Sequence, residues 1–356
     1  MAESFKPTDD IKRELAEMIH PLTADLESYK NQLGDGTKEF RGLATGFNEI
    51  DKLVGGLDRF VLLAGRSGAG KTTLALQLGL GALEQGTPIV IYSFEMSRYE
   101  IITKLVQVVA RGLFTNTIEL RGNAPDLEPD YKALLEQSLQ RLNRVGERLF
   151  IKDASGGIPK LLPPSADEYK DKRPSIYDDI EQVKKLTKSQ RVLVIIDSIQ
   201  DIVSTSNSNQ VQAEVEAVNQ ITTLQQKTEA TILCTSQKNK GSINSKDSYG
   251  DVLGSVSLIH KPNTVIELVT IKEMIAKRFD GKGGKSDKDA KEQLERVAAE
   301  IEQDAKGGKV TPMILNVIKG RYTGTDYLPL KYYGALGYFD AGIDSNYSDV
   351  YDLFSH

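Results

Sequence analysis

The stretch "FVLLAGRSGAGKTTLALQLGLGALEQGTPIVIYSFEMS", residues 60–97, begins with an apolar run of strand length and continues through a glycine-rich turn into a helical pattern. It then returns to a second apolar run, which ends just before Glu95. A strand, a glycine-rich turn, a helix and another strand form the repeating unit of α/β folds. The stretch therefore predicts an α/β protein, and the remainder of the chain has to supply the rest of the sheet.

Apolar runs of strand length alternate with helical patterns from residue 60 onward. Runs such as "VLVII", residues 192–196, are apolar at every position. This continuity suits strands buried on both faces, so we expect a mostly parallel sheet with helices on both faces. The predicted strands are residues 60–64, 88–94, 148–152, 191–196, 230–235, 264–269 and 312–318.

The composition is that of an ordinary globular protein, with 356 residues, 39% hydrophobic and 27% charged. A net charge of -5 argues against a general nucleic-acid coat protein, although an average charge can hide a basic channel. The one cysteine, Cys234, lies in the apolar pattern "TILCTSQ", so we expect a buried thiol and no disulfide. No segment resembles a signal peptide or reaches membrane-spanning length, which predicts a cytoplasmic protein without a membrane partner.

Residues 65–72 read GRSGAGKT, which fits the Walker A pattern at the point where a strand leads into a helix. The glycines let backbone N–H groups point at phosphate oxygens, and the helix N-terminus adds partial positive charge. We expect Lys71 to reach the β- and γ-phosphates of ATP, and the Thr72 hydroxyl to bind Mg²⁺. The predicted nucleotide-binding residues are Gly65, Arg66, Ser67, Gly68, Ala69, Gly70, Lys71, Thr72 and Thr73.

Asp197 follows an apolar strand in "RVLVIIDSIQD", the Walker B position, and is expected to hold Mg²⁺ through water. Ser198 comes next, where many P-loop ATPases carry their catalytic glutamate. The predicted general base is instead Glu95, at the end of the strand that follows the P-loop helix. Ser97 and Glu100 form a capping-box pattern, so Glu95 lies outside the next helix.

Gln237 ends a further apolar strand, "TILCTSQ", where its amide can hydrogen-bond a γ-phosphate and report its loss to the following loop. These polar strand ends have a simpler alternative, because Asp, Glu and Gln also occur there as ordinary turn residues. The P-loop pattern favours the functional interpretation, since ligands of open α/β folds bind at the carboxyl ends of the strands.

These segments, in this order, resemble the RecA-like core and, within it, the DnaB family of replicative helicases. "LATGFNEIDKLVGGL" is similar to that family's lead-in, "YSFEMS" to its Ser-Leu-Glu-Met segment, "VIIDSIQDI" to its Walker B strand and "TSQKNKG" to its Ser-Gln strand end. "VIKGRYTGT" resembles a Lys-x-Arg segment near the family's C-terminus. The similarity covers roughly residues 40–335.

The resemblance implies that Glu95 is the catalytic base and that Lys319 and Arg321 reach the γ-phosphate of a neighbouring subunit. It also implies a homo-oligomeric ring, a hexamer in this family, that uses ATP and Mg²⁺ on single-stranded DNA. Primase and a helicase loader are the protein partners it suggests. A short chain without the family's N-terminal collar suits a phage or mobile-element enzyme, in a bacterial cell or phage-infected host.

One departure from the family pattern concerns DNA contact. The family's DNA-contacting loop carries an Arg-Glu pair before a Gly-Ser, whereas "YGDVLGSVSLIHKPN" has Asp251, Val252 and Leu253 there. Lysines just upstream can contact DNA phosphates instead, and these are Lys238, Lys240 and Lys246. Lysines in a surface loop can also serve solubility alone, and that alternative stays open.

Three parts are predicted along the chain: an N-terminal helical linker or docking segment (1–39), an ATPase core (40–340) and a C-terminal tail (341–356). The linker has two helical patterns broken near Pro21. A charged insertion, residues 272–309, interrupts the core with a helical pattern between two Gly-Lys-rich joints. A solvated helical hairpin is favoured for this insertion over a nucleic-acid arm.

Three classes of function fit these motifs. The leading one is a ring-forming motor that spends ATP to translocate on single-stranded DNA and to unwind duplex during replication. The second is a RecA/KaiC-like ATPase whose nucleotide state controls assembly or partner binding. The third is a loader or adaptor that binds ATP and a partner helicase without unwinding. Stimulation of ATP hydrolysis by single-stranded DNA discriminates among them.

Overall fold

A mixed sheet of nine strands forms the centre of the part of the chain that the structure describes. In this computed structural model, the described residues are 42–111, 129–163, 174–202, 210–237, 257–279, 310–321, 323–341 and part of 288–299. They belong to one unit, Gly42–His356, distinct from Met1–Arg41. The predicted helical linker and the tail after residue 341 therefore lie outside the described residues.

The strands form where the sequence is continuously apolar or rich in β-branched and aromatic residues. Their bounds are β1 (Phe60–Gly65), β2 (Ile89–Ser93), β3 (Leu149–Asp153), β4 (Leu193–Asp197), β5 (Thr231–Gln237), β6 (Thr264–Thr270), β7 (Val310–Gly320), β8 (Tyr327–Tyr333) and β9 (Tyr338–Asp340).

The helices cover both faces of the sheet and lie mostly between consecutive strands. Their bounds are α1 (Asn48–Val54), α2 (Lys71–Glu84), α3 (Arg98–Ala110), α4 (Pro129–Val145), α5 (Ile176–Thr187), α6 (Ile199–Ile202), α7 (Gln210–Thr228), α8 (Ser257–His260) and α9 (Ile271–Phe279).

The strand order is β3-β2-β4-β5-β1-β6-β7-β8-β9. Strands β1 to β6 are parallel to one another, whereas β7, β8 and β9 continue the sheet in antiparallel fashion. Gly65 at the end of β1 pairs with Gln237 at the end of β5, and Ser93 at the end of β2 pairs with Asp197 at the end of β4. The ends of four strands therefore meet at one edge of the sheet.

Two hydrophobic clusters hold the helices against the sheet, because successive strand residues point to opposite faces. On one face, Leu63 of β1 shares a cluster with Leu74 of α2. On the other, Leu62 of β1 shares a cluster with Ile180 of α5 and Ile221 of α7. Each of these side chains is at most 1% exposed. Burying a side chain of this size stabilises the fold by about 1.5–3 kcal/mol.

All seven predicted strands are present, and the mostly parallel sheet with helices on both faces is confirmed. The capping box of α3 is confirmed as well, since Ser97 and Glu100 bond each other's backbone N–H groups. Strands β8 and β9 were missed in the sequence. Pro329 lies within β8, and a proline inside a short run argues against a strand unless the strand is near the edge of a sheet.

The solvated hairpin predicted for residues 272–309 needs correction for those of its residues that the structure describes. Met274 and Ile275 of α9 are buried, as is Ala298, and all three share a cluster with Val310 and Ile314 of β7. This third cluster covers the sheet where β6 gives way to the antiparallel strands. The insertion therefore begins as part of the core.

Gly81 of α2 lies where that helix meets the segment before β1. A Cβ at this position would lie 1.5 Å from the Thr45 carbonyl oxygen. That carbonyl has little freedom, because the buried Asp51 carboxylate accepts hydrogen bonds from the Thr45 N–H (2.9 Å) and the Thr45 hydroxyl (2.8 Å). The helix can approach so closely only because residue 81 has no side chain.

We predict that Gly81→Ala destabilises the protein, although alanine is favoured over glycine in a helix by about 1 kcal/mol. Overpacking at a fixed carbonyl costs about 1–3 kcal/mol and outweighs that gain. Urea unfolding measures the difference. Gly79→Ala is the control, since its Cβ would meet side-chain atoms and no backbone, the closest being Ile195 Cδ1 at 2.6 Å and Ile89 Cδ1 at 3.6 Å, both at the ends of their side chains. Wild-type or higher stability of Gly81→Ala would show that this helix contact is wrong.

Candidate active site

The P-loop joins β1 to α2, and two of its glycines adopt the left-handed conformation that the turn requires. Gly68 has φ +78 and Gly70 has φ +87, values that side chains with a Cβ rarely adopt. Lys71 is only 7% exposed, and its Nζ donates to the carbonyl oxygens of Gly65 (3.0 Å) and Arg66 (2.9 Å). Burial lowers the pKa of the Lys71 amine, an effect that the nearby carboxylates oppose. Lys71 lines a pocket at the carboxyl ends of the strands, and Ser67 and Thr73 line it as well.

Asp197 lies beside the start of α2 and accepts two hydroxyl hydrogen bonds. Thr72 Oγ1 donates to Asp197 Oδ2 at 2.7 Å, and Thr235 Oγ1 of β5 donates to Asp197 Oδ1. A hydroxyl and a carboxylate at this spacing are the hard oxygen ligands that Mg²⁺ prefers. No group of three or more His, Cys, Asp or Glu side chains forms a cation site among the described residues. Mg²⁺ usually keeps several waters and binds through one or two protein oxygens together with substrate phosphates, so the Thr72–Asp197 pair suits it.

Glu95 and Gln237 contact each other in the pocket that Thr72 and Asp197 also line. Glu95 lies two residues beyond β2, and Gln237 is the last residue of β5. Gln237 Nε2 donates to Glu95 Oε1 at 3.0 Å, and both side chains line the pocket that also contains Lys71 and Asp197. The structure thus brings together four residues that the sequence singled out: Glu95, Gln237, the P-loop lysine Lys71 and Asp197.

Lys104 is a further cation of this pocket that sequence reasoning missed. It lies on α3, lines the pocket, and has an amine pKa lowered by burial, with Asp197 acting in the opposite direction. The signal was available in the sequence. Lys104 falls at helical spacing between Ile101 and Val108, which are buried. A lysine inside the apolar face of a helix needs a partner, and in this fold the pocket supplies anionic ones.

An aromatic pair supports the P-loop from the far strands. The rings of Tyr332 (β8) and Phe339 (β9) stack with centroids 4.4 Å apart. A Cβ on Gly70 would lie 2.7 Å from Phe339 Cζ and 2.8 Å from Tyr332 Cζ, so the pair packs directly against this glycine. The Gln77 side chain of α2 fixes β9, donating to the Phe339 carbonyl and accepting from its N–H, each at 2.8 Å. The tyrosine hydroxyl also bonds Thr73.

Arg66 connects the P-loop to the beginning of the insertion. Its guanidinium donates to the Glu273 carboxylate in the first turn of α9. Glu273 also accepts from the Thr270 N–H at 3.0 Å, while the Glu273 N–H donates to Thr270 Oγ1 at 3.1 Å, which caps the helix. Burial raises the pKa of Glu273, but the bonds from Thr270 and Arg66 outweigh burial and hold that pKa below its ordinary value.

Lys319 and Arg321 lie at the end of the strands opposite to the end that carries the P-loop. The end of β7 pairs with the beginning of β6, Gly320 with Thr264, whereas the P-loop end of β1 pairs with Leu268. Lys319 Nζ donates to the carbonyls of Ile259 (3.1 Å), His260 (2.5 Å) and Pro262 (2.7 Å). Its pKa is lowered by burial and by the neighbouring Arg321.

Arg321 differs from Lys319 in its surroundings. It is exposed, and its backbone N–H donates to the Asn263 carbonyl at 3.0 Å. The structure does not bring either cation to the pocket of its own chain. Of the remaining site residues, Ala69 lies within the P-loop and its N–H donates to the Arg66 carbonyl at 3.2 Å. The predicted DNA contacts Lys238, Lys240 and Lys246 lie outside the described residues.

A scan against family models identifies the DnaB-like helicase C-terminal domain over residues 42–305, which is most of the chain. The chain belongs to this family. The match begins in the lead-in and includes the P-loop, both carboxylates and Gln237. It extends into the charged insertion, so the RecA-like core predicted from the motifs is confirmed at the level of family.

Solved structures share the fold of this DnaB-like domain. One of them, the ATPase domain of another protein, superposes with a TM-score of 0.67 at 16% identity, covering 90% of this chain and 98% of that one. A DnaB-like replicative helicase, from a structure that describes its interactions with primase, gives 0.66 at 18% identity over 94% and 71%. At these identities the likeness concerns the fold alone.

Among curated proteins, the replicative DNA helicase DnaB of Synechocystis sp. is 38% identical over 68 residues. This match spans 18% of the chain and 8% of that helicase. Among the described residues, no helix of this DnaB-like domain is both long and apolar enough to cross a membrane.

Proposed function

We propose that this chain is an ATP-dependent, ring-forming DNA helicase that translocates on single-stranded DNA during replication. The observation that carries the proposal is the convergence of Lys71, Thr72, Asp197, Glu95 and Gln237 in one pocket at the carboxyl edge of the sheet. This set contains a group for each requirement of phosphoryl transfer to water: phosphate binding, metal binding, proton acceptance and orientation.

The P-loop holds the triphosphate in this proposal. Backbone N–H groups at the start of α2 face the phosphate oxygens, and the helix dipole favours their negative charge. The Lys71 amine exchanges the carbonyls of Gly65 and Arg66 for β- and γ-phosphate oxygens. Thr72 and Asp197 would hold the cation, and Mg²⁺ would supply neutralisation of phosphate charge when bound. Tyr332 and Phe339 keep the turn at Gly70 rigid, so the N–H groups are oriented before the nucleotide binds.

Glu95 accepts the proton of the attacking water, and Gln237 holds the carboxylate in position. The 3.0 Å hydrogen bond from Gln237 Nε2 occupies one carboxylate oxygen, which leaves the other for water. Because the amide can also donate to a γ-phosphate oxygen, Gln237 can exchange partners when that phosphate leaves. Its position at the start of the loop after β5 makes it a sensor of hydrolysis.

We predict that Glu95→Gln binds ATP but hydrolyses it about 100-fold more slowly, the scale of a lost general base. The amide retains the size of the carboxylate and can still accept from Gln237, but it cannot take a proton. Steady-state phosphate release and nucleotide titration measure the two effects. Glu136→Gln, on the exposed surface of α4, is the matched control. Normal turnover by Glu95→Gln would place the base elsewhere.

Lys104 provides a second prediction for the pocket. Its amine faces the carboxylate side, where the γ-phosphate lies in this proposal, so Lys104→Met should weaken ATP binding by about 10-fold and ADP binding much less. Loss of a hydrogen bond to a charged group costs about 1.5–3 kcal/mol, enough for this difference. Calorimetric titration with both nucleotides checks it. Lys185→Met, on the exposed side of α5, is the control. Equal losses for ATP and ADP would contradict a γ-phosphate contact.

Arg321 acts on a neighbouring subunit in this proposal. The pairs Thr264–Gly320 and Leu268–Gly65 are separated by the four steps from residue 264 to residue 268, or ~13 Å along β6. Since Arg321 follows Gly320 and lies beyond that far end, the phosphates of its own chain are out of reach. An exposed guanidinium at this edge can reach a nucleotide only across an interface, which favours a ring in which each site is completed by the next copy.

We predict that Arg321→Ala binds ATP almost normally but loses most hydrolysis, since a finger in trans is worth about 10³–10⁵ in rate where known. Lys71→Ala should be inactive through lost phosphate binding. Mixing the two variants should restore part of the activity, because some interfaces then pair an intact P-loop with an intact finger. Arg144→Ala, on the exposed side of α4, is the control. No recovery at any ratio, with subunit exchange verified, would contradict action in trans.

Strand displacement on forked DNA with ATP tests the helicase activity itself, with Glu95→Gln as the inactive control. Unwinding with ATP hydrolysis stimulated by single-stranded DNA is the expected result, together with hexameric rings in electron micrographs. Filaments, or hydrolysis indifferent to DNA, would instead favour the assembly-controlling ATPase or the adaptor. Lys238, Lys240 and Lys246 are proposed DNA contacts, and their joint replacement by Ala should reduce the salt dependence of DNA binding.

The remaining proposals concern partners, location and domains. A helicase of this kind acts in the cytoplasm of a bacterial cell or phage-infected host, and primase and a helicase loader are the proposed partner proteins. The proposed division is a docking segment (1–39), an ATPase core (40–340) and a tail (341–356). Co-purification with the primase and loader from the same source tests the partners, and absence of binding to both would contradict them.

A further inference from the structure

Gln200 lies next to the proposed active site without lining its pocket, and its side chain bonds the last two residues of β5. Gln200 Nε2 donates to Ser236 Oγ at 2.9 Å and lies 3.4 Å from the Gln237 carbonyl oxygen. Gln200 Oε1 accepts from the Gln237 N–H at 3.2 Å. One primary amide thus contacts both backbone polar groups of Gln237.

These bonds take the place of the backbone bonds that a longer β4 would make to β5. The last pair between β4 and β5 is Ile196 with Cys234; β4 ends one residue later, at Asp197, whereas β5 continues on that side as far as Gln237. On its other side, Gln237 still pairs with Gly65 of β1. The Gln200 amide therefore takes the place of the next residues of β4. Without it, the Gln237 N–H and C=O would lose these partners at the edge of the pocket.

The position of Gln200 is itself fixed by its neighbours. It belongs to the single turn α6, whose residue Ile199 is fully buried. Asp201 caps this turn, because its carboxylate accepts from the Ser198 N–H at 2.9 Å and from the Ser198 hydroxyl at 2.6 Å. A short turn anchored at both its cap and its core side chain holds Gln200 in one orientation.

We propose that Gln200 is a positioning residue for hydrolysis, which acts on Glu95 through Gln237. The inference rests on the proposed function for its catalytic consequence, but not for the contact itself. Gln200 holds the Gln237 backbone, and the Gln237 side chain donates to Glu95 Oε1 at 3.0 Å. A shift of Gln237 therefore moves the hydrogen bond that orients the base. Because geometric errors of about 1 Å can cost 10²-fold in rate, the effect should fall on the chemical step.

Gln200→Ala and the shape-matched Gln200→Met should each lower kcat for ATP by about 10- to 100-fold. KM should stay within about 3-fold, because the P-loop contacts are unchanged. Gln220→Ala is the control, since Gln220 lies on α7 and its amide bonds only an exposed Glu216 at 3.1 Å in the described contacts. A normal kcat for both Gln200 variants would overturn the proposal.

A double-variant cycle separates positioning from a general structural effect. If Gln200 acts through Gln237, then Gln200→Met in a Gln237→Ala background should cause almost no further loss of kcat. Losses that multiply would overturn the proposal. The cycle uses Gln200→Met because this variant keeps the shape of the side chain, so the test remains possible if circular dichroism shows that Gln200→Ala does not fold.

Amide hydrogen exchange provides a readout that does not depend on ATP hydrolysis. The Gln237 N–H should exchange at least about 10-fold faster in Gln200→Met, whereas amides in the middle of β5 should keep their protection. Unchanged protection of Gln237 would overturn the contact. If the wild-type protein does not hydrolyse ATP, the proposed function is refuted. Faster exchange of the Gln237 N–H in Gln200→Met would then still support the Gln200 contact.

Discussion

The parallel register of β1, β2, β4 and β5 is the constraint on which the site depends. Gly65 pairs with Gln237, and Ser93 pairs with Asp197, so β1 ends level with β5 and β2 ends level with β4, all on the same side of the sheet. Residues at and just after those ends lie close together although they are far apart in sequence, and 142 positions separate Glu95 from Gln237. The apolar strands that stabilise the core also set the distances of the chemistry.

Sequence reasoning succeeded where a local pattern carries the information. The P-loop has its own spacing, and Asp197, Glu95 and Gln237 each terminate an apolar run, so their common edge follows from parallel pairing alone. Continuous apolar runs also predicted seven strands within a few residues of their bounds. These features depend on neighbours in sequence or on one topological rule, and a single sequence contains both.

Other features depend on contacts between distant segments, which no local pattern encodes. Tyr332 and Phe339 reach Gly70 only because two antiparallel strands extend the sheet and β9 bonds to Gln77 of α2. Gln200 matters because β4 ends before β5, a difference in strand length that the apolar runs do not reveal. Met274 was placed in a solvated insertion because its own segment is mostly charged, whereas its burial is decided by β7.

The two cations at the end of β7, Lys319 within the strand and Arg321 just beyond it, have different roles although they are close in sequence. The Lys319 amine already binds three carbonyls at the end of α8, the helix that follows the segment carrying the proposed DNA lysines. Cations at a helix C-terminus satisfy carbonyls that lack helical partners, and removing one would disturb that turn. Arg321 has only a backbone bond in the described contacts, and its side chain is exposed. A contact across an interface therefore costs Arg321 no existing bond, whereas Lys319 would have to release three. We infer that Arg321 is the residue that reaches a neighbouring subunit. Lys319 holds the end of β7 against α8 and so fixes the position of the backbone that carries Arg321.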